Sequence, residues 1–398
     1  MTALRYPNYR LWFIGQSISI AGTWMQSTAQ GFLIYQLTGS PAYLGYVGFA
    51  SGLPFWLFTL FGGVVSDRMS RRTLLIITQT SMLVLAFLLT WMTAVNIVQP
   101  WHIVVLAFLL GIANAFDAPA RNAFVAELVG REDLTNAIAL NSTTMNLGTV
   151  LGPALAGLAY GAVGPAWCFA INGISFLAVI IALLLMRLQK FSADEKKTSA
   201  VRAIVDGFRY AGRNNAIPTL LVAAAFITVF GIGFSTLFPA WAVEVLHGDS
   251  LTNGFLQSAR GLGSLLAALG LAFSGRIKIK GKILTAGVMV FPVLLILWSR
   301  ITDLTWSLVL LVLVGSSMML ALNMTNALLQ SIVSDEMRGR VMSLFMLSFF
   351  GMLPVGALFS GFMAEWVGEP MAVTLGASVV MIFVVWLWFN KPEIRALE

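Results

Sequence analysis

Residues 73–95 read TLLIITQTSMLVLAFLLTWMTAV, and the segment before them reads Ser66-Asp67-Arg68-Met69-Ser70-Arg71-Arg72. The long stretch carries no charge, and about 20 apolar residues suffice for a helix to cross a bilayer. The short segment holds one acid and three arginines. An uncharged run beside a cationic loop reads as a membrane helix anchored on one side.

The same alternation fills the chain. Of its 398 residues, 58% are hydrophobic and only 10% are charged. A soluble domain carries about 25% charged residues, so this chain has too few to cover a water-facing surface. The pattern predicts an all-α membrane protein with twelve transmembrane helices. They fall near 11–36, 43–65, 73–95, 101–119, 137–160, 166–187, 216–239, 253–274, 282–299, 305–326, 341–364 and 371–390. Glycine and proline recur inside these spans, where neighbouring helices can satisfy the backbone groups they free. The first apolar run, from Leu11, is followed at once by others and lacks a cleavage site, so no cleavable signal is expected.

Several chemistries are disfavoured. Cys168 is the only cysteine, which leaves no internal disulfide and no cysteine metal cluster. In its apolar setting, Ala166-Trp167-Cys168-Phe169, it reads as a packing residue. The sequence has no metal-spaced histidines, nucleophile motif or intramembrane carboxylate pair, so no enzyme, metal or cofactor is expected. An ATP-driven pump needs a glycine-lysine phosphate loop, and none is present.

The charges give the spans a direction. An even number of spans places both termini on one side. Arg68, Arg71, Arg72, Arg121, Arg131, Arg338 and Arg340 lie in loops of that side, with Arg187 at a helix end there and the basic residues of 188–215 and 275–282 and of both ends. Together these are 22 of the 24 lysines and arginines, leaving only Arg260 and Arg300 elsewhere. The asymmetry predicts a cell (inner or plasma) membrane protein with cytoplasmic termini. The net charge of +7 is therefore read as orientation, and no nucleic-acid partner is expected.

A weak repeat appears at an offset of 204. Leu128-Val129 pairs with Ile332-Val333, Glu132 with Glu336, Leu140 with Leu344, Gly152 with Gly356 and Gly157 with Gly361. It predicts two pseudo-symmetric six-helix halves, residues 1–187 and 216–398, as in many secondary transporters. Residues 188–215 form a cytoplasmic linker. Within it Val201, Ile204, Val205 and Phe208 share one helical face, with Arg202, Asp206 and Arg209 on the other. This predicts an amphipathic helix on the inner membrane surface.

Three motifs add a resemblance. The loop Gly63-Val64-Val65-Ser66-Asp67-Arg68-Met69-Ser70-Arg71-Arg72 resembles the signature loop of the major facilitator superfamily, with Ser70 in place of a glycine. Gly148-Thr149-Val150-Leu151-Gly152-Pro153-Ala154-Leu155-Ala156-Gly157 is similar to the span-5 motif of its antiporters. Ala156 and Ala139 stand where glycines are usual. Tyr35 to Pro41, Asp117-Ala118-Pro119-Ala120-Arg121 and Asp335 to Met342 extend the likeness over nearly the whole chain. Together they resemble the transmembrane secretion effector branch, which contains the enterobactin exporter and macrolide efflux pumps.

The resemblance implies a cytoplasmic gate built from Gly63, Asp67, Arg68, Arg71, Arg72 and Asp117. Gly63 allows close helix approach, the arginines find a carboxylate with Asp117 the obvious partner, and Asp67 faces the start of span 11 near Val341. It also implies that Gly148, Gly152, Pro153 and Gly157 kink span 5 and pack it on span 8. The second-half loop from Ser274 to Lys282 is basic but lacks the aspartate, so the latch is one-sided.

A substrate site is sought where polar and aromatic stripes face each other. Span 1 carries Gln16, Ser19, Thr23, Gln26, Ser27 and Gln30 at intervals of three and four, flanked by Trp24. Polar groups in a span belong against protein or water. Span 5 adds Asn141, Thr144 and Met145, and span 10 adds Asn323 and Asn326. In span 7, Phe226, Phe230, Phe234 and Phe238 are each four apart. Gln257 and Arg260 share a face of span 8, and a buried arginine in a span is costly. Arg260 attracts an anionic substrate, pairs with Glu244 or Glu365, or snorkels to the outer interface.

The sequence thus predicts a monomeric secondary transporter, proton-coupled and exporting a hydrophobic or amphipathic small molecule by alternating access. With no carboxylate deep in these spans, the proton-carrying group is unassigned. Uptake or lipid flipping by the same fold, or a non-transporting receptor, stays open.

Overall fold

The computed structural model describes residues 2–188, 200–212, 216–273 and 280–391, with the side chains of 60, 64, 67, 200–205, 272 and 280–286 outside that description. These residues form helices throughout. They are α1 (Pro7–Thr38), α2 (Pro41–Arg68), α3 (Arg71–Ala94), α4 (Pro100–Leu128), α5 (Leu134–Val163), α6 (Pro165–Leu185) and α7 (Ala200–Ala211). There follow α8 (Ala216–Val245), α9 (Ser250–Phe273), α10 (Lys280–Trp298), α11 (Leu304–Ile332), α12 (Asp335–Phe349), α13 (Leu353–Val367) and α14 (Glu369–Asn390). Taking α12 with α13 as one span, the twelve expected spans are all helical.

Eight of these spans are long and apolar enough to cross a membrane by length and composition. Their outer surfaces agree: Leu151, Ile174, Leu184, Val309 and Ile382 are all exposed. So many exposed aliphatic side chains would aggregate in water and are at ease in lipid. The polar stripe of α1 lowers its own hydropathy, and most of that stripe is buried instead.

Local sequence explains the ends. Asp303 precedes α11, and its carboxylate accepts from the Trp306 backbone N–H at 3.0 Å. Asp249 does the same for α9, accepting from Leu251 and Thr252 at 3.0 and 3.1 Å. Such caps satisfy the free N–H groups of a first turn. Between α5 and α6 the chain turns at Gly164, with φ of 89°, and between α13 and α14 at Gly368, with φ of 80°. Only glycine adopts this left-handed geometry without strain. The two glycines are 204 apart, so the internal repeat extends to the turns.

The spans depart from their sequence outlines in three places. α4 runs to Leu128, nine residues past Pro119, where the expected span stopped. A proline removes only its own N–H bond, here to the carbonyl of Ala115. That carbonyl faces Gly62 of α2, where a Cβ would stand 2.5 Å from it. Span 11 begins at Asp335 and is interrupted between α12 and α13 by residues 350–352. Span 7 continues to Val245 but leaves α-geometry: it is a π-helix over Ile227–Ile232 and Trp241–Val245, and a 3-10 helix over Gly233–Leu237. Gly231, Gly233 and Pro239 lie in this stretch, and such residues loosen a helix.

The chain forms two compact units. The first comprises Met1–Thr38, Ala50–Lys197 and Asp249–Gly254, and the second Gly39–Phe49, Thr198–Gly248 and Phe255–Glu398. In the first, α1 packs on α5 and α6, and α3 on α4 and α6. In the second, α10 packs on α11, and α8 packs on α13 and α14 around a stacked pair, Trp241 and Trp298, 3.9 Å apart.

The linker helix is α7. It sits on the start of α12, with Asp206 ion-paired to Arg340 at 3.4 Å and the Ser334 backbone N–H donating to the Tyr210 hydroxyl at 3.3 Å. Asp206 of the polar face thus docks on α12, while Arg209 of that face and Phe208 of the apolar one are exposed.

Candidate functional site

The cationic loop fastens α3 to its neighbours. Arg71, at the first position of α3, is ion-paired with Glu127 near the end of α4. Arg72 donates to the carbonyl of Leu184 at 3.0 Å, at the C-terminal end of α6. There the helix dipole and the unpaired carbonyls attract a cation. Arg68 is exposed. The side chain of Asp67, and with it the expected contact near Val341, lies outside the described residues.

Two expectations about this loop need correction. Among the described residues, a Cβ on Gly63 would meet nothing within 4 Å, whereas its neighbour Gly62 makes the close approach to α4. Asp117 is not the partner of the loop arginines. It is fully buried, eleven residues before the end of a longer α4. Its Oδ1 accepts from Thr78 Oγ1 at 2.8 Å and Gln79 Nε2 at 3.0 Å, both on α3. Its Oδ2 lies 3.8 Å from Arg121 Nε, one turn on, and neither atom has a hydrogen bond. Because the helix continues past Pro119, the carboxylate sits one helical turn or more inside the position expected for it.

The span-5 motif divides between two neighbours. Gly148 and Gly152 lie against α1, facing Ile20, Ala21 and Trp24. A tryptophan there needs the missing side chains of α5. Only the last part of the motif meets α9: a Cβ on Gly157 would be 2.7 Å from the Ser250 oxygen, and one on Gly254 would be 2.5 Å from the Pro153 oxygen. The second unit repeats this seam. A Cβ on Gly361 of α13 would be 2.8 Å from the Pro41 oxygen, and one on Gly45 of α2 would be 3.0 Å from the Ala357 oxygen. Residues 153 and 157 become 357 and 361 at the offset of 204.

The polar stripe of α1 is mostly internal. Gln16, Ser19, Gln26 and Gln30 are buried. Gln26 accepts from Asn172 of α6 at 2.7 Å, and Asn172 in turn accepts from Ser175 at 3.0 Å. Thr23 and Trp24 are half-buried. The aromatic stripe is not a single face. Phe230 is half-buried and meets Phe226 and Phe359 at 5.3 and 4.9 Å. Phe234 is buried in the core against Phe238 and Trp298. A four-residue spacing keeps one face only in a regular α-helix, and α8 is not regular across this stretch. Phe234 is therefore a core residue.

Asn141, Gln257 and Asn323 are half-buried on α5, α9 and α11. Arg260 is half-buried on α9, with its Nε enclosed and unpartnered among the described residues. The expected pairing of Arg260 with Glu244 or Glu365 is absent among them. Glu365 instead accepts from Ser40 Oγ at 2.7 Å and the Ala42 backbone N–H at 3.2 Å. Sequence reasoning missed Glu127, Thr78, Gln79 and Asn172, because their partners are distant along the chain.

The whole chain, residues 1–398, matches the family model described as Transmembrane secretion effector. It is 25% identical to the staphyloferrin A transporter of Staphylococcus aureus, over 98% of each chain. It is 23% identical to macrolide efflux protein A of Streptococcus pyogenes, over 99% of each. With the enterobactin exporter of Shigella flexneri it shares 26% identity over 66% of this chain and 62% of that one. Two solved structures are similar in fold. One is a POT family transporter in complex with a thioalcohol-conjugated peptide, with a TM-score of 0.78 at 10% identity, covering 97% of this chain and 96% of that one. The other is a bacterial homologue of the lysosomal transporter Spinster, with a TM-score of 0.72 at 16% identity, covering 98% and 97%.

Proposed function

The chain belongs to the transmembrane secretion effector family of the major facilitator superfamily, and we propose that it exports a hydrophobic or amphipathic small molecule, a drug or a siderophore, by proton-coupled alternating access. The observation that carries this reading is the repeated glycine seam. Gly157 against Ser250 and Gly361 against Pro41 are equivalent close backbone approaches, the first crossed by a hydrogen bond from Ser250 Oγ to the Gly157 carbonyl at 3.3 Å. Contacts of this kind bring helices to backbone distance and leave few side chains to unlock when they part, as an alternating gate requires.

The other parts take roles around that gate. Arg71 and Arg72 hold α3 to α4 and α6, so that this bundle moves as one body. The protein acts as a monomer in the cell membrane, with both termini and the arginine loop cytoplasmic. Thr23, Trp24, Asn141, Phe230, Gln257, Arg260 and Asn323 contact the cargo. Asp117 supplies the buried carboxylate that the spans had lacked. Acidic residues enclosed within membrane helices commonly mark ion or proton paths.

The test is accumulation of a panel of macrolides and siderophores in a pump-deficient host, with and without a protonophore. Reduced accumulation that the protonophore restores supports the reading. Export that ignores the protonophore removes the proton, and accumulation raised by the protein reverses the direction.

A further inference from the structure

Arg260 stands at the eleventh position of the 24-residue helix α9. Its backbone is held by a close seam with α11. Gly315 lies against the Arg260 carbonyl, and a Cβ there would be 3.2 Å from the Arg260 Cα. One turn on, Gly263 lies against the carbonyl of Val312. Two serines tie the seam: Ser264 donates to the oxygens of Arg260 and Gly315 at 3.2 and 3.3 Å, and Ser316 to those of Gly263 and Val312 at 2.9 and 2.8 Å. The helix around Arg260 is therefore rigid, and its Cα is fixed.

Among the described residues, the side chain on this rigid base has no counter-ion. Among the described residues no carboxylate lies within the 4.0 Å of an ion pair. Its Nε is enclosed and makes no hydrogen bond among them. A guanidinium cannot shed its charge as a lysine does. Holding that charge in the interior of a span is unfavourable unless an anion meets it. Elsewhere the protein supplies such partners: Arg71 has Glu127, Arg121 has Asp117 and Arg340 has Asp206.

We infer that Arg260 receives an anionic group of the transported molecule, a carboxylate or sulfonate, and that the cargo is an amphipathic anion. The planar fork of the guanidinium suits a two-oxygen anion. Gln257, one turn earlier and half-buried, adds an amide on the same face. The rigid seam makes this a preformed site, since little ordering is needed when the anion arrives. This rests on the export reading above and narrows its cargo.

Three probes with one apolar body separate the charge: naphthoate, naphthalenemethanol and naphthylmethylammonium. Binding of each to the purified full-length protein is measured by equilibrium dialysis. The wild type is expected to bind naphthoate about tenfold more tightly than the other two. Arg260→Gln is expected to abolish that preference while leaving the neutral probe unchanged, and Arg260→Lys to keep part of it. A wild type without anion preference, or an Arg260→Gln protein that retains it, overturns the inference. Cell export separates the two readings. Anion preference without export leaves the Arg260 site standing and removes the exporter. Protonophore-sensitive export that is equal for Arg260→Gln and wild type, across every anionic compound moved, does the reverse.

Discussion

Gly157 and Gly254 bring the backbones of α5 and α9 into contact: a Cβ added to Gly157 would lie 3.4 Å from the Cα of Gly254 and 2.7 Å from the oxygen of Ser250. No side chain fits there unless the helices part. Gly157→Leu is expected to lower export more than tenfold, and Gly361→Leu to do the same at the equivalent seam. Gly63→Ala serves as the contrast, because its Cβ would meet nothing within 4 Å among the described residues. Transport by Gly63→Ala equal to wild type, with loss in the other two at matched membrane levels, is the expected pattern. Full transport by Gly157→Leu would remove the seam from the gate.

The ion pair between Arg71 and Glu127 is partly exposed, at 21% and 37% of the side chains. Pairs of this kind contribute roughly 0–1 kcal/mol to stability. Arg71→Glu is therefore expected to leave thermal stability nearly unchanged and to abolish export. Combining it with Glu127→Arg is expected to restore export in part. If the pair were only an anchor for topology, the double variant would fare no better than the single one.

Asp117 holds together Thr78, Gln79 and Arg121. Asp117→Ala leaves two donors and a cation without their acceptor, and breaking such a buried pair costs about 3–5 kcal/mol. Asp117→Asn keeps an acceptor for Thr78 and Gln79, so its loss of stability is expected to be smaller. Its export, where present, is expected to be insensitive to a protonophore. Export by Asp117→Asn that stays sensitive to the protonophore would assign the proton elsewhere.

Asn172 joins α6 to α1 through Gln26 at 2.7 Å. Both side chains are buried, so removing one leaves the other unpaired. Asn172→Ala is expected to destabilise the protein by about 1–3 kcal/mol, read by thermal unfolding in detergent. Gln26→Met with Asn172→Leu is expected to recover most of that loss, since both partners become apolar together.

Water and lipid act on each residue separately, and that is why the spans could be read from the chain alone. Thr73 to Val95 is uncharged because its helix meets hydrocarbon, and Arg71 is charged because the loop meets water. The offset of 204 was visible in Gly152, Gly157, Gly356 and Gly361 for a related reason: backbone contact leaves no room for any larger residue. Composition, span number, internal symmetry and family resemblance were all legible in this way.

Partners were not. Asp117 and Glu127 are both carboxylates on one helix, and nothing in their spelling says which one Arg71 takes. The choice depends on whether α4 ends at Pro119 or runs to Leu128, and Gly62 of another helix covers the carbonyl that the proline frees. The four-residue spacing of the phenylalanines likewise implied one face, until the π and 3-10 turns of α8 rotated Phe234 into the core. Arg260 was an evident oddity in the chain, but that no carboxylate among the described residues reaches it is a fact of distance. Side-chain pairing across helices is set by helix length, phase and contact, and those are properties of the packed whole.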